Sequence, residues 1–155
     1  MKQKLKKILD TMHEYNTSNL AYHTYGVTSE MVFDALVIAP GWKPTKIITD
    51  SSFHTTVLAV NNYDSSYLVE KEGLKILWIQ CSSSAANLMD HLLICAELQF
   101  KKLIFVGAVG SLNEQFKIGD ICTPSHSISG VYANAYLCEK LSDYTPFEKV
   151  YPNQN

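Results

Sequence analysis

Three short clusters carry residues suited to hold an anion or a small polar ligand. Pro40-Gly41-Trp42-Lys43-Pro44 sets a glycine beside Lys43, with Lys46 close behind. A turn at Gly41 exposes backbone N–H groups and the lysines supply charge, although an ordinary turn with solvated lysines fits the same residues. Cys81-Ser82-Ser83-Ser84 precedes a stretch with helical spacing. A serine there caps the helix, whose first N–H groups lack intrahelical partners; the result is either a plain capped helix or a site for an anion or hydroxyl. Gly107-Ala108-Val109-Gly110 brackets two small residues with glycines. That lets backbone approach a ligand closely, or simply bends a strand. It does not match the GxGxxG phosphate loop.

Other chemistry is sparse. All thirteen basic residues are lysines, so no bidentate guanidinium site can be built within the chain. The histidines His13, His23, His54, His91 and His126 form no recognisable nucleophile motif with Ser or Cys. Cys81, Cys95, Cys122 and Cys138 contain no CxxC pair and have no histidine at metal-ligand spacing. They read as reduced, mostly buried thiols, Cys81 included, despite its place before a helix. The residues identify no catalytic group, and no metal or cofactor is expected.

The elements that must position these clusters can be read from periodicity. Lys2–Tyr15 spaces Leu5, Ile8, Leu9 and Met12 as an amphipathic helix with lysines outward. Asp34–Pro40 is a compact apolar run, a buried strand entering a tight turn. Thr45–Thr49 and Thr55–Val60 are β-branched and predict two further strands, Asn61–Ser66 a polar turn, and Tyr67–Val69 a short strand. Lys75–Gln80 predicts a strand. Ala85, Leu88, Met89, Leu92, Cys95 and Ala96 give the apolar stripe of a helix, with Asn87, Asp90 and Glu97 facing outward. Lys102–Val106 follows as an apolar strand, so Lys75–Val106 has the length of one βαβ crossover with parallel strands. Gly119–Thr123 predicts a last strand, stopped by Pro124; Gly130–Pro152 is rich in Tyr, Asn and Ser.

This order predicts an α/β fold, with a mixed, mostly parallel twisted sheet flanked by helices. At 155 residues the chain suits a single domain spanning 1–155. Hydrophobic residues make up 46% and charged residues 18%, which excludes a disordered chain. A net charge of −2 leaves no basic footprint for nucleic acid. No run is long and apolar enough to span a membrane, and the N-terminus lacks the apolar core of a signal peptide, so a cytoplasmic protein is expected.

The stretch KLIFVGAVGSLNEQFKIGDICTP resembles the signature of the purine nucleoside and uridine phosphorylase superfamily. That signature is a strand ending in V-G-small-small-G, a short loop, then I-G-D-I. Gly107, Gly110, Ile118, Gly119 and Asp120 fall in step with it. Ser83-Ser84-Ala85-Ala86 with Leu92 resembles the family's phosphate-side turn and helix, and Ala35–Pro44 its first strand and glycine turn. The likeness covers about Asp34 to Asp120 in order.

The resemblance implies cleavage of a nucleoside N-glycosidic bond, by phosphate in the phosphorylases and by water in the related nucleosidases. On that analogy Gly41 and Lys46, with Ser82 and Ser83, approach phosphate. Ala108, Val109 and Gly110 line the nucleoside, and His23 stands for the N-terminal histidine that reaches a sugar. The chain departs from the family's pattern at Phe105, where an arginine is common, at Ala108, where a hydroxyl residue is common, and at Cys81-Ser82-Ser83, which replaces a glycine-rich turn. The family's later Met-Glu segment and its acidic residue facing the base find no match, so the C-terminal part of the family fold is expected to be absent. The alternative is a non-catalytic fragment or degenerate member acting as a small-molecule binding or oligomer-forming module. Partners are then a nucleoside and phosphate, without nucleic acid or membrane. Uncovered sheet edges, together with the family's oligomers, lead us to expect a homo-oligomer.

Overall fold

The helical spacing at the N-terminus is realised over Gln3–Tyr15 (α1), where Leu9 is buried and Lys6 pairs with Asp10 at 2.7 Å one turn on. The computed structural model of the protein describes residues 3–16, 19–130, 135, 138 and 140–151. Lys2, the first residue of the expected helix, and Pro152 lie outside the described residues. The chain divides into two compact units, one of residues 17–108 and one of residues 1–16 with 109–155.

The unit 17–108 begins with Leu20–Tyr25 (α2), whose start is capped by the Asn19 side chain accepting from Tyr22 N–H at 3.0 Å. Val32–Pro40 (β1) is almost continuously buried, as its apolar run requires of a strand covered on both faces. Pro44–Ile47 (α3) is one turn of helix where Thr45–Thr49 predicted a strand. Proline at the first helical position brings a preset φ and no N–H to satisfy, and that outweighs the β-branched residues behind it. His54–Val60 (β2) and Ser65–Lys71 (β3) form an antiparallel hairpin across a turn at Asn61–Asp64, closed by Asn61 N–H to Asp64 O at 2.8 Å. Ser65 and Ser66, expected in the turn, already belong to β3. Leu74–Cys81 (β4) returns antiparallel to β3, then Ala85–Ile94 (α4) leads to Gln99–Phe105 (β5).

The sheet order is β2-β3-β4-β1-β5. It is mixed: β1 runs parallel to both β4 and β5, while β3 is antiparallel to its two neighbours. The crossover β4–α4–β5 therefore joins parallel strands with β1 lying between them. At its amino end β1 is tied to both: Asp34 accepts from the Lys75 N–H at 2.8 Å and from the Lys101 ammonium at 2.6 Å. Those two donors hold the Asp34 carboxyl below its usual range.

Alternation along the strands makes two cores. Leu36, Ile38, Leu77, Ile79 and Cys81 pack with Tyr25, Val27, Cys95 and Leu98 on the side of α2 and α4. Val37, Ala39, Tyr67, Val69 and Trp78 form the other layer, against Ile48, Phe53 and Val106. β5 differs from its expected burial. Leu103, Ile104 and Phe105, at the carboxyl end of this edge strand, are all exposed.

In the other unit Ser127–Ile128 (β6) pairs antiparallel with Lys149–Val150 (β7), and Leu141–Asp143 is a 3₁₀ turn. Gly119–Thr123 is not the predicted strand. Ile118-Gly119 is a turn and residues 120–124 are irregular, with Gly119 in the left-handed region at φ 99° and Asp120 N–H bonded to Lys117 O. A left-handed glycine closing a tight turn breaks the extended run that its β-branched neighbours favour.

Candidate functional site

Parallel pairing brings the first two clusters and the head of the third to one edge of the sheet. Pro40 pairs with Cys81, and Ile38 with Phe105, so β1, β4 and β5 end side by side. Neighbouring strands lie about 4.8 Å apart, which puts the loops after them within ligand size of one another. Two hydrogen bonds carry the alignment past the strand ends: Gly41 N–H to Cys81 O at 2.9 Å and Val106 N–H to Ile38 O at 2.9 Å. Gly41, Ser82 and Gly107-Ala108 thus stand at the carboxyl edge of three parallel strands, where open α/β sheets bind ligands.

Each loop is held for an identifiable reason. Gly41 adopts φ 77°, open to glycine and costly for other residues, and nothing lies within 4 Å of where a Cβ would stand. Trp42 closes the turn with N–H to Ala39 O at 3.1 Å, and its own carbonyl accepts from the buried Trp78 indole at 2.8 Å. Lys46 is exposed on α3, just beyond that turn. Ser84 is the expected cap of α4, its hydroxyl accepting from Asn87 N–H at 3.0 Å. Ser82 and Ser83 are exposed ahead of it. Burial pushes the Cys81 thiol up to about 11, so it stays protonated and unreactive near neutrality. Cys95 is pushed up to about 12 by the same cause.

The remaining expected contacts sit elsewhere in the chain. His23 is exposed on α2, edge-on to Tyr22. Val109 and Gly110 are exposed and belong to the other unit, with Ala108 the last residue of the sheet unit. Phe105 is 58% exposed at the end of β5. Among the described residues no group of His, Cys, Asp and Glu is placed to hold a metal ion. No helix among them is long and apolar enough to cross a membrane.

One polar cluster at this end of the sheet escaped the sequence reading. Ser65 pairs with Gln80, so the β2–β3 turn lies at the same edge as Cys81. There His91 of α4, 2% exposed, meets Asp64 of that turn and Tyr25 of α2. His91 Nδ1 is hydrogen-bonded to the Tyr25 hydroxyl, while Nε2 lies 3.0 Å from Asn87 Oδ1 and 3.3 Å from Asp64 Oδ1. The only signal in the sequence was position: His91 falls at i+3 from Leu88 and i−4 from Cys95, inside the apolar stripe.

Searches of curated proteins and of solved structures return no significant match to this chain. A family model described as the phosphorylase superfamily matches residues 43–152, more than two thirds of the chain. The matched span takes in Lys46, Ser82, Ser83 and the Gly107–Gly110 segment, and His23 and Gly41 precede it. With that match over most of its length, β4 and β5 and the loops after them included, the chain belongs to the phosphorylase superfamily.

Proposed function

We propose that the carboxyl edge of β4, β1 and β5 holds a nucleoside and its attacking nucleophile, for cleavage of the N-glycosidic bond by phosphate or water. The observation that carries this reading is the convergence of Gly41, Ser82 and Gly107-Ala108 on adjacent strand ends. In this proposal the Gly41 turn, Lys46, Ser82 and Ser83 face phosphate through N–H, ammonium and hydroxyl groups. His23 and Ala108 face the nucleoside. With phosphate as nucleophile the reaction is a pentosyl transfer; with water it is a hydrolysis. The free thiols of Cys81, Cys95 and Cys122 suit a reducing compartment, and we place the protein in the cytoplasm.

A second reading is favoured by one observation. An exposed Phe105 stands where the family commonly has an arginine, and the chain has no arginine to replace it. A lysine neutralises phosphate only as a point charge, without the bidentate fit. The chain is then a small-molecule binding or oligomer-forming module without turnover.

Release of free base from inosine, uridine and methylthioadenosine, with and without phosphate, tests the first reading. Phosphate-dependent release selects phosphorolysis, and release without phosphate selects hydrolysis. No release from any of the three, with nucleoside binding retained, selects the second reading.

A further inference from the structure

We infer that the buried Tyr25–His91–Asp64 cluster is a proton-operated latch between α4 and the body formed by α2 and the β2–β3 hairpin. It is closed while His91 is neutral and released when His91 is protonated.

The hydrogen-bond pattern fixes the closed state. Tyr25 is fully buried, and burial holds its hydroxyl protonated far above its usual range, with the neighbouring Cys95, Asp64, Cys81 and Asp90 adding to the effect. A phenol that keeps its proton donates it to His91 Nδ1. Nδ1 then accepts, and the ring's proton sits on Nε2. There it is donated to Asn87 Oδ1 at 3.0 Å, while Asp64 Oδ1 lies 3.3 Å from the same nitrogen as a charge contact without a hydrogen bond. Every polar atom of the ring is used by this one tautomer of the neutral imidazole.

Protonation removes that solution. A proton on Nδ1 faces the Tyr25 hydroxyl, which must turn its own hydrogen elsewhere in a fully buried setting, leaving a donor unsatisfied. The groups facing His91 are Tyr25 from α2, Asp64 from the β2–β3 turn, and Asn87 and Asp90 on α4 itself. Asp64 and Asp90 favour the charged ring, but its burial outweighs them and holds His91 below its usual value.

The parts on either side of the latch are held independently. Ser66 Oγ donates to Tyr25 O at 2.7 Å and Asn61 Nδ2 donates to Thr24 O at 2.9 Å, so α2 stays with the hairpin whatever His91 does. On the other side Asn87 both contacts His91 and donates its N–H to Ser84 Oγ. Release therefore loosens the first turn of α4 and the serines before it.

The sign follows from linkage. His91 binds its proton less readily folded than unfolded, so its contribution is fully present above about pH 6.5 and is lost as pH falls toward the folded value. Ring-proton NMR should show His91 titrating below the ordinary histidine value of about 6.5. The amides of Asn87 and Leu88 should shift with the same midpoint. The melting temperature should be lower at about pH 5.5 than at about pH 7.5, a window above the carboxylates. His91→Gln should abolish most of that drop. Tyr25→Phe removes the donor that favours the neutral ring and should raise the His91 midpoint; if His91→Gln does not fold, this variant and the wild-type titration decide. His91 titrating at or above about 6.5 overturns the inference. So does a midpoint unmoved by Tyr25→Phe, amides of Asn87 and Leu88 that ignore it, or an acid drop undiminished in His91→Gln.

Discussion

Ser84 and Gly26 show how single residues fix the ends of the helices beside the site. The Ser84 hydroxyl takes up one of the unbonded N–H groups of α4. Ser84→Ala is expected to lower stability by about 1 kcal/mol, read from the urea midpoint, and Ser84→Asp to retain most of it. Gly26 ends α2 in the left-handed region at φ 69°, and a Cβ there would stand 3.1 Å from the Leu58 carbonyl oxygen. Backbone cannot give way as a side chain can, so Gly26→Ala should cost at least ~1–2 kcal/mol by the same measurement. The cap was legible in the sequence because Ser84 acts on a neighbour three residues away. His91 was not, because its partners lie at Tyr25 and Asp64, and only folding makes a lone histidine in an apolar stripe into the centre of a network.

Elements differ in how much of the fold they carry. β1 and β4 lie inside the sheet, and Leu36 and Leu77 are fully buried between its neighbours and α4. Leu36→Ala should cost about 2–5 kcal/mol in urea unfolding. β5 has equally apolar residues but lies at the edge, and Leu103→Ser should change stability by no more than about 0.5 kcal/mol. A large loss at Leu103 would mean that β5 is covered in solution. β1, β4 and α4 could be read from the sequence because their apolar periods match the surfaces they bury. The stretch after Pro44 was misread because β-branched composition describes a preference, while a proline at the first helical position sets the local backbone directly. At Gly119–Thr123 the same preference yielded to a turn at a left-handed glycine.

At the scale of the whole molecule, the segment that carries the family signature exposes its apolar side chains. Val109, Leu112, Phe116, Ile118 and Ile121 all face solvent, as do Leu103 and Phe105 in the sheet unit. Apolar surface of this kind favours association, and we expect the protein to sediment as an oligomer that Ile118→Asp with Ile121→Asp shifts toward monomer. A monomer at all concentrations would remove that expectation and leave the site proposal standing. The family was legible from Lys102–Asp120 together with two weaker matches, whereas the placement of the site needed the register, since only Pro40 opposite Cys81 and Ile38 opposite Phe105 bring distant loops to one edge. The most direct test of that placement is amide chemical-shift mapping while a nucleoside, then phosphate, is added. The account predicts shifts gathered at Gly41, Ser82, Ser83, Gly107 and Ala108. Shifts gathered instead at the opposite strand ends, around Val32, Leu74 and Gln99, or none at any residue, would contradict it.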